Sequence, residues 1–182
     1  EFVMTETQEL LNKLYENVPV ELSLMTETME TSLSDAEMFA YITGLQSKYW
    51  QTIKDLYSTE SYIAKATEKI NEIYNHLRSL AQQPLTSDNE KEIVAQGEMM
   101  STNMVALYME EQGINVKLLN SLEFMRLKAN EEPDMEYLAE KLTPFIESRT
   151  DGKIYIAQGF ICTNSEGRID NLQRGGSDYT AT

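Results

Sequence analysis

The sequence has very little cysteine, histidine, proline or glycine. Its 182 residues include one Cys, one His, four Pro and eight Gly. Cys162 cannot form an internal disulfide by itself, and one His with one Cys cannot make a zinc site from those two residue types, because such sites need several ligands. The low Pro and Gly content also excludes a collagen-like or linker-like chain.

Basic residues are scarce as well. The chain has 15 Lys and Arg against 30 Asp and Glu, which gives a net charge of −15 at pH 7. Nucleic acids and anionic membranes both favour basic partners, so this charge argues against either as a main partner. No apolar run approaches the roughly 20 residues that span a membrane, and the first residues do not resemble a signal peptide. We therefore expect a reducing, cytoplasmic setting.

Helical patterns fill most of the first half of the chain. Capping boxes predict helix starts at Thr5, Ser34 and Ser87, where a hydroxyl and a following acidic or amide side chain satisfy free N–H groups. Apolar residues at three- and four-residue spacing follow Ser34 and run to Leu80 with one break. This pattern predicts an antiparallel helical hairpin over residues 34–84. Residues 20–33 favour a short strand or a loop.

Helices and strands alternate in the second half. This alternation predicts an α/β region over residues 85–182 with a partly parallel sheet. Gly113 is expected to end the first helix of this region in the left-handed conformation. The predicted elements are a helix over 88–112, a strand over 114–119, a helix from 132 to 146, one buried strand over 153–162, and a return strand over 168–172.

The most informative stretch is the loop Arg174-Gly175-Gly176-Ser177-Asp178. Its two glycines let the backbone approach a ligand closely, and Ser177 and Asp178 are favoured residues at a helix start. Arg174 carries a fixed positive fork that suits a carboxylate or a phosphate. A strand, a Gly-rich turn and a helix N-terminus together predict an anion-binding site. A structural turn before a capped helix explains the same residues equally well.

A second candidate is Glu98, which follows Gly97 inside a predicted helix. Glycine in a helix interior costs roughly 1 kcal/mol relative to alanine, and it is tolerated where another group packs close to the backbone. Glu98 can therefore meet a substrate ammonium group, although a solvated helix face is the alternative interpretation. The adjacent carboxylates Glu110 and Glu111 are interpreted as exposed charge, and His76 as a structural or surface residue.

Together these segments resemble the aspartokinases of the amino acid kinase family. The resemblance lies in four segments that keep the order and spacing of that family, and it is strongest for the lysine-sensitive subgroup. It covers residues 85–182 with specific motifs and extends weakly back to about residue 46. The four segments are Val94–Thr102, Gly113–Val116, Ile156–Ile161 and Arg174–Ala181.

The resemblance implies a three-layer α/β/α amino acid kinase fold, present in part, with residues 85–182 as its aspartate-binding region. The implied activity is the ATP-dependent phosphorylation of the L-aspartate side-chain carboxylate to 4-phospho-L-aspartate. That reaction opens the biosynthesis of lysine, threonine and methionine. The implied cofactors are ATP and Mg²⁺. The sequence leaves the oligomeric state open, with a homo-oligomer as one alternative.

The resemblance also assigns roles to six residues. They are Glu98, Arg174, Ser177 and Asp178 for aspartate, with Gly175 and Gly176 for the nucleotide. Glu98 would contact the ammonium group and Arg174 a carboxylate. No catalytic residue or metal ligand is assigned, because the Lys-Phe-Gly-Gly-Thr-Ser phosphate loop of the family is not found in residues 1–45. Gln173 also stands where the family commonly has Gly, which makes the loop less permissive.

These departures leave alternatives open. The chain starts at Glu1 and lacks the regulatory domains of the family, so we expect a fragment that is inactive alone. One alternative is a non-catalytic module that binds an amino acid through the same pocket. Another is a helical interaction module over residues 34–80, favoured by Met25, Met29 and Met38, whose competing explanation is core filling.

Overall fold

A computed structural model describes residues 22, 24–29, 34–147 and 154–172, without the side chains of 146 and 147. The predicted helix start at Thr5 lies outside these residues. None of the described helices is both long and apolar enough to cross a membrane. The elements are α1 (Asp35–Leu56), α2 (Glu60–Ala81), α3 (Ser87–Glu111), β1 (Val116–Leu119), a short 3₁₀ helix (Ser121–Glu123), α4 (Met135–Glu147), β2 (Ile154–Ala157), β3 (Ile161–Thr163) and β4 (Ile169–Asn171).

The helical hairpin predicted from the apolar spacing is present as α1 and α2. The capping box at its start is confirmed, since Ser34 N–H donates to Glu37 Oε2 at 2.9 Å and Glu37 N–H donates back to Ser34 Oγ. Side-chain hydrogen bonds from Gln46 and Trp50 to Asn71 join the two helices. The apolar stripes face inwards and are almost fully buried.

The hairpin shares one hydrophobic core with α3. Ile93, Met100 and Met104 of α3 are at most 1% exposed and belong to the same buried cluster as the hairpin stripes. The hairpin residues of this cluster are Met38, Ile42, Leu45, Tyr49, Ile53, Leu56, Tyr57, Ala66, Ile70, Ile73, Tyr74, Leu77 and Leu80. The three helices therefore stabilise one another through shared burial of apolar surface.

The expectation of a strand or loop before the hairpin is wrong for residues 24–29, which are helical. Leu22 and Met25 are buried, and Met29 packs on the core at the next helical spacing. Met38 is buried in the same cluster. Core filling therefore accounts for the three methionines that favoured an interaction module.

The N-cap of helix α3 lies one residue earlier than predicted. Thr86, not Ser87, is the N-cap, and its hydroxyl accepts a hydrogen bond from Asn89 N–H at 3.2 Å. At the other end Gly113 has a φ of +75°, as predicted. The N–H groups of Gly113 and of the residue after it donate hydrogen bonds to backbone carbonyls in the last turn of α3. These bonds satisfy carbonyls that a helix end otherwise leaves free.

Glu111 caps the start of α2 from the end of α3. Its carboxylate accepts the backbone N–H groups of Ser58 and Thr59 and the Thr59 hydroxyl, at distances of 2.7 to 3.2 Å. The interpretation of Glu111 as merely exposed charge is therefore wrong. Partial burial by itself would raise the pKa of Glu111, but these hydrogen bonds outweigh it and hold the pKa below its usual value.

We expect Glu111→Gln to lower the free energy of unfolding by about 1 kcal/mol at neutral pH, as loss of a partly exposed helix cap does. A carboxyl group with a lowered folded pKa stabilises above its unfolded pKa and loses that effect as pH falls through the folded value. The difference between variant and wild type should therefore shrink as pH falls below about 4.3. Urea titrations across pH measure it.

Glu110→Gln is the matched control, because Glu110 is exposed and lies beside Glu111 on α3. It should leave the urea midpoint unchanged. Equal effects of the two substitutions would contradict the capping role of Glu111.

The described strands form two small sheets. β1 pairs in parallel with β2 from Val116 opposite Ile154 to Leu119 opposite Ala157, and β3 pairs antiparallel with β4. The prediction of one strand over residues 153–162 is wrong, because an irregular segment separates β2 from β3. The two strands also belong to different sheets. A turn with Gly167 at a φ of +80° joins β3 to β4, and β4 is the predicted return strand.

Helices lie against the parallel sheet as the α/β class requires. Leu119 belongs to a buried cluster, and the partly buried side chains of Tyr155 and Ala157, and of Leu142 and Phe145 from α4, pack against it. Alternate residues of a strand share one face, so this cluster defines the face that α4 covers. Helix α3 contacts β1, β2 and β4. The described residues thus hold part of an α/β/α arrangement, and the predicted fold class is confirmed.

Candidate functional site

A buried polar cluster lies where the two parallel strands end. Because β1 and β2 are parallel, their carboxyl ends meet at one edge of the sheet, which is the edge where open α/β sheets bind ligands. Ser121 follows β1 and Gln158 follows β2, and both are at most 1% exposed. Ser121 N–H donates to Gln158 Oε1 at 2.8 Å, and Ser121 Oγ donates to the Gln158 carbonyl at 2.6 Å.

The same glutamine connects this edge to α3. Gln158 Nε2 donates to Thr102 Oγ1 at 3.1 Å, and Thr102 Oγ1 in turn donates to the backbone carbonyl of Glu98 at 2.6 Å. The hydroxyl of Ser101 also donates to that carbonyl, at 3.2 Å. A continuous chain of hydrogen bonds therefore runs from the sheet edge to the backbone of Glu98.

Glu98 is half-buried on α3, one helical turn before Thr102. Burial raises the pKa of its carboxyl group, because a low-dielectric surrounding disfavours the charged form. No basic side chain in the described ranges contributes an opposing shift. A desolvated carboxylate without such a partner binds a ligand ammonium strongly, since the ligand supplies the missing positive charge.

A strained turn follows Gln158 directly. Phe160 has a φ of +68°, and Ile161 N–H donates to the Gly159 carbonyl at 2.7 Å, the bonding pattern of a γ-turn. A bulky residue in this conformation costs about 1–3 kcal/mol and persists only where the surrounding structure imposes it. Leu172 N–H fixes the Phe160 carbonyl at 2.7 Å. The end of β4, which precedes the predicted Gly-rich loop, therefore lies beside this turn.

The N-terminal part of α3 is tied to β4. Lys91 Nζ lies 2.7 Å from Asp170 Oδ1, and the Asn171 amide donates to the Lys91 carbonyl at 3.4 Å. The hydrogen bond to Asp170 raises the pKa of Lys91, against a smaller opposing effect of burial. This pair holds the β3–β4 hairpin against the helix that carries Glu98.

Cys162 lies in β3 opposite Asp170 and is fully buried. Burial, with a smaller effect of the Asp170 carboxylate, raises the pKa of the Cys162 thiol to about 12. Iodoacetamide reacts with the thiolate, and a raised pKa and burial leave Cys162 almost entirely as the inaccessible thiol. We therefore expect Cys162 in the native protein to be modified roughly a hundredfold more slowly than an exposed thiol, or slower still.

Peptide mapping by mass spectrometry measures that modification residue by residue. Labelling in urea is the control and should be fast, since unfolding restores an ordinary thiol. Rapid labelling under native conditions would contradict the buried position of Cys162.

The predicted site residues fall into two groups. Glu98 is described and lies beside the polar cluster. The other five predicted residues lie outside the described residues, so their roles stay predictions: Arg174, Gly175, Gly176, Ser177 and Asp178. His76 is exposed and pairs with Glu92 at 2.7 Å, in line with its interpretation as a surface residue.

Sequence reasoning missed Gln158 and Ser121 and gave Thr102 no role. The available signal was a polar glutamine before Gly159 in an otherwise apolar run. In the parts of the chain with assigned structure, no three His, Cys, Asp or Glu side chains converge to hold a metal ion.

Comparisons with solved structures give the same fold. A crystal structure of Escherichia coli aspartokinase III in complex with lysine and aspartate matches with a TM-score of 0.75 and 26% identity, over 91% of this chain and 37% of that one. The same enzyme in complex with aspartate and ADP matches with a TM-score of 0.71 and 25% identity, over the same shares of the two chains.

Sequence comparisons point the same way. The chain is 35% identical over 106 residues to the lysine-sensitive aspartokinase 3 of E. coli strain K12, which covers 57% of this chain and 23% of that protein. It is 33% identical over 92 residues to the bifunctional aspartokinase/homoserine dehydrogenase 2 of the same strain, over 50% and 11%. The chain thus spans under a quarter of these relatives. A model described as the amino acid kinase family matches residues 15–182, and the chain belongs to that family.

Proposed function

We propose that this chain is the aspartate-binding part of an aspartate kinase. The reaction would transfer the γ-phosphoryl group of ATP to the side-chain carboxylate of L-aspartate and yield 4-phospho-L-aspartate and ADP. The structural match to an aspartokinase that holds aspartate, over 91% of this chain, carries the proposal. The physiological role would be in lysine, threonine and methionine biosynthesis in the cytoplasm.

The chemistry of the described site suits one end of such a substrate. Aspartate carries one ammonium and two carboxylate groups, so a pocket for it needs at least one anionic and one cationic contact. Glu98 would supply the anionic contact from its half-buried position on α3. Arg174 would hold a carboxylate, and Ser177 and Asp178 would complete that side of the pocket.

The nucleotide would lie next to the glycines Gly175 and Gly176, where small residues allow phosphates to approach the backbone. Mg²⁺ would arrive on the ATP phosphates, since it usually keeps few protein ligands in such sites. Phosphoryl transfer depends on positioning and on stabilising charge, so the contribution of these residues is to hold the acceptor carboxylate in line. Residues 34–84 would serve as a helical hairpin that supports residues 85–182.

Coupled ADP release tests the proposal with the full-length protein, Mg-ATP and L-aspartate. We expect ADP to form only when aspartate is present, and added hydroxylamine to trap the acyl phosphate as a hydroxamate. Release of ADP without hydroxamate would indicate ATP hydrolysis instead. Aspartate binding without turnover would support the non-catalytic alternative.

A further inference from the structure

We propose that Gln158 is a positioning residue that sets the backbone of Glu98 relative to the strained turn at Phe160. This inference rests on the proposed function, because it assigns Glu98 to the substrate. Gln158 would not touch the substrate itself. It would act through Thr102 on one side and through Gly159 on the other.

The Gln158 amide contributes to stability as well as to geometry. Gln158 is 1% exposed and Ser121 is fully buried, so an apolar side chain at position 158 would leave the Ser121 N–H without an acceptor. The geometric contribution is the one that bears on Glu98. The amide oxygen accepts from Ser121 N–H and the amide nitrogen donates to Thr102 Oγ1, so one planar group fixes the end of β1 and the middle of α3.

The connection from Gln158 to Glu98 runs through one hydroxyl group. Thr102 Oγ1 accepts from Gln158 and has one proton, which it donates to the Glu98 carbonyl at 2.6 Å. Hydroxyl groups that bond to a carbonyl four residues back bend a helix locally. Because the Gln158 amide orients the hydroxyl, it also determines the local helix geometry from which the Glu98 side chain projects.

The connection on the other side is covalent. Gln158, which Ser121 and Thr102 hold by hydrogen bonds, directly precedes the turn. Gly159 and Phe160 follow it, and Phe160 has a φ of +68°. Leu172 N–H holds the far side through the Phe160 carbonyl. The strained turn is therefore fixed from both ends, and the glutamine that fixes one end also holds the helix of Glu98.

Steady-state kinetics of the full-length enzyme test this role. Thr102→Val keeps the side-chain shape and removes the hydroxyl, and we expect it to raise the KM for aspartate on the order of three- to tenfold, the equivalent of one hydrogen bond. The KM for ATP should not change. Thr102→Ser restores the hydroxyl and should restore the KM. Gln158→Met should raise the KM for aspartate at least as much as Thr102→Val.

Tyr57→Phe is the control for stability. The Tyr57 hydroxyl is buried and donates to the carbonyl of Met104 on α3 at 2.7 Å, but it lies outside the hydrogen-bond chain from Gln158 to Glu98. The Tyr57→Phe substitution should lower the unfolding midpoint and leave the KM for aspartate unchanged. If Gln158→Met does not fold, the pair Thr102→Val and Thr102→Ser still decides the matter.

The outcomes separate this inference from the proposed function. An active wild type whose Thr102→Val variant keeps its KM for aspartate would overturn the positioning role alone. The same holds if Tyr57→Phe raises that KM as much as Thr102→Val does. A wild type with no aspartate-dependent ADP release would overturn both.

Discussion

We expect replacement of Glu98 by glutamine to raise the KM for L-aspartate on the order of a hundredfold, because the substitution removes a desolvated charge pair with the ligand ammonium group. Glutamine has nearly the same shape, so α3 should keep its structure. The KM for ATP should not change, since Glu98 is assigned to the amino acid. Coupled ADP release at varied aspartate and fixed ATP measures the effect.

Glu92→Gln is the matched control for this prediction. Glu92 lies on the same helix and pairs with His76 at the surface. Its substitution should leave both KM values unchanged. A similar rise in both variants would show that net charge, and not a contact of Glu98, determines aspartate affinity.

The pH dependence of the KM for aspartate follows from the same carboxyl group. Burial raises the pKa of Glu98, so on acidification it takes up a proton before an ordinary glutamate does. The substrate carboxylates titrate lower, near about 3.9 for a side chain of this type. The wild-type KM for aspartate should therefore rise as pH falls from neutrality towards the usual range of a glutamate, and Glu98→Gln should remove that rise.

Leu77→Ala has the largest expected effect on stability. Leu77 is fully buried in the core that α1, α2 and α3 share, and such a truncation costs about 2–5 kcal/mol. Because the core is shared, we expect the amides of α3 to lose as much hydrogen-exchange protection as those of α2. Hydrogen exchange with peptide resolution measures both helices at once.

Phe39→Ala provides the comparison for this prediction. Phe39 also lies in the hairpin but is 59% exposed, so its removal should change protection little. Unchanged protection of α3 in Leu77→Ala would show that the hairpin unfolds by itself. That result would contradict the shared core and favour an independent helical module over residues 34–80.

Much of the fold could be predicted because its signals are local. The apolar stripe that begins at Met38 has the helical period, and Gly113 is the residue that a left-handed helix end favours. The start of α3 was missed by one residue because Thr86 and Ser87 are both suitable caps. Local sequence does not decide between two adjacent hydroxyl residues.

The features that the sequence did not reveal depend on tertiary contacts. The apolar run over 153–162 has the pattern of one strand, because local hydrophobicity does not depend on which strands pair with which. The break at Gly159 depends on β2 joining β1 and β3 joining β4. The capping role of Glu111 has the same origin, since its partners lie more than 50 residues away.

The candidate site was predictable only where a motif carried it. Glu98 was found because Gly97 marks an unusual position in a helix and because the segment resembles a family motif. Gln158 lies in another segment that resembles the family, but neither it nor Ser121 was assigned a role, since their importance comes from burial at the ends of two parallel strands. Burial of a polar side chain becomes visible only once the chain is folded.

Calorimetric titration of L-aspartate into the full-length protein and its Arg174→Ala variant tests whether the proposed pocket binds aspartate. We predict that the wild type binds aspartate and that the variant binds at least about tenfold more weakly, because a carboxylate loses its charged partner. Arg168→Ala is the control, since Arg168 is an exposed arginine paired with Asp88 and Glu166. Equal affinity of the wild type and Arg174→Ala would contradict the proposed aspartate pocket.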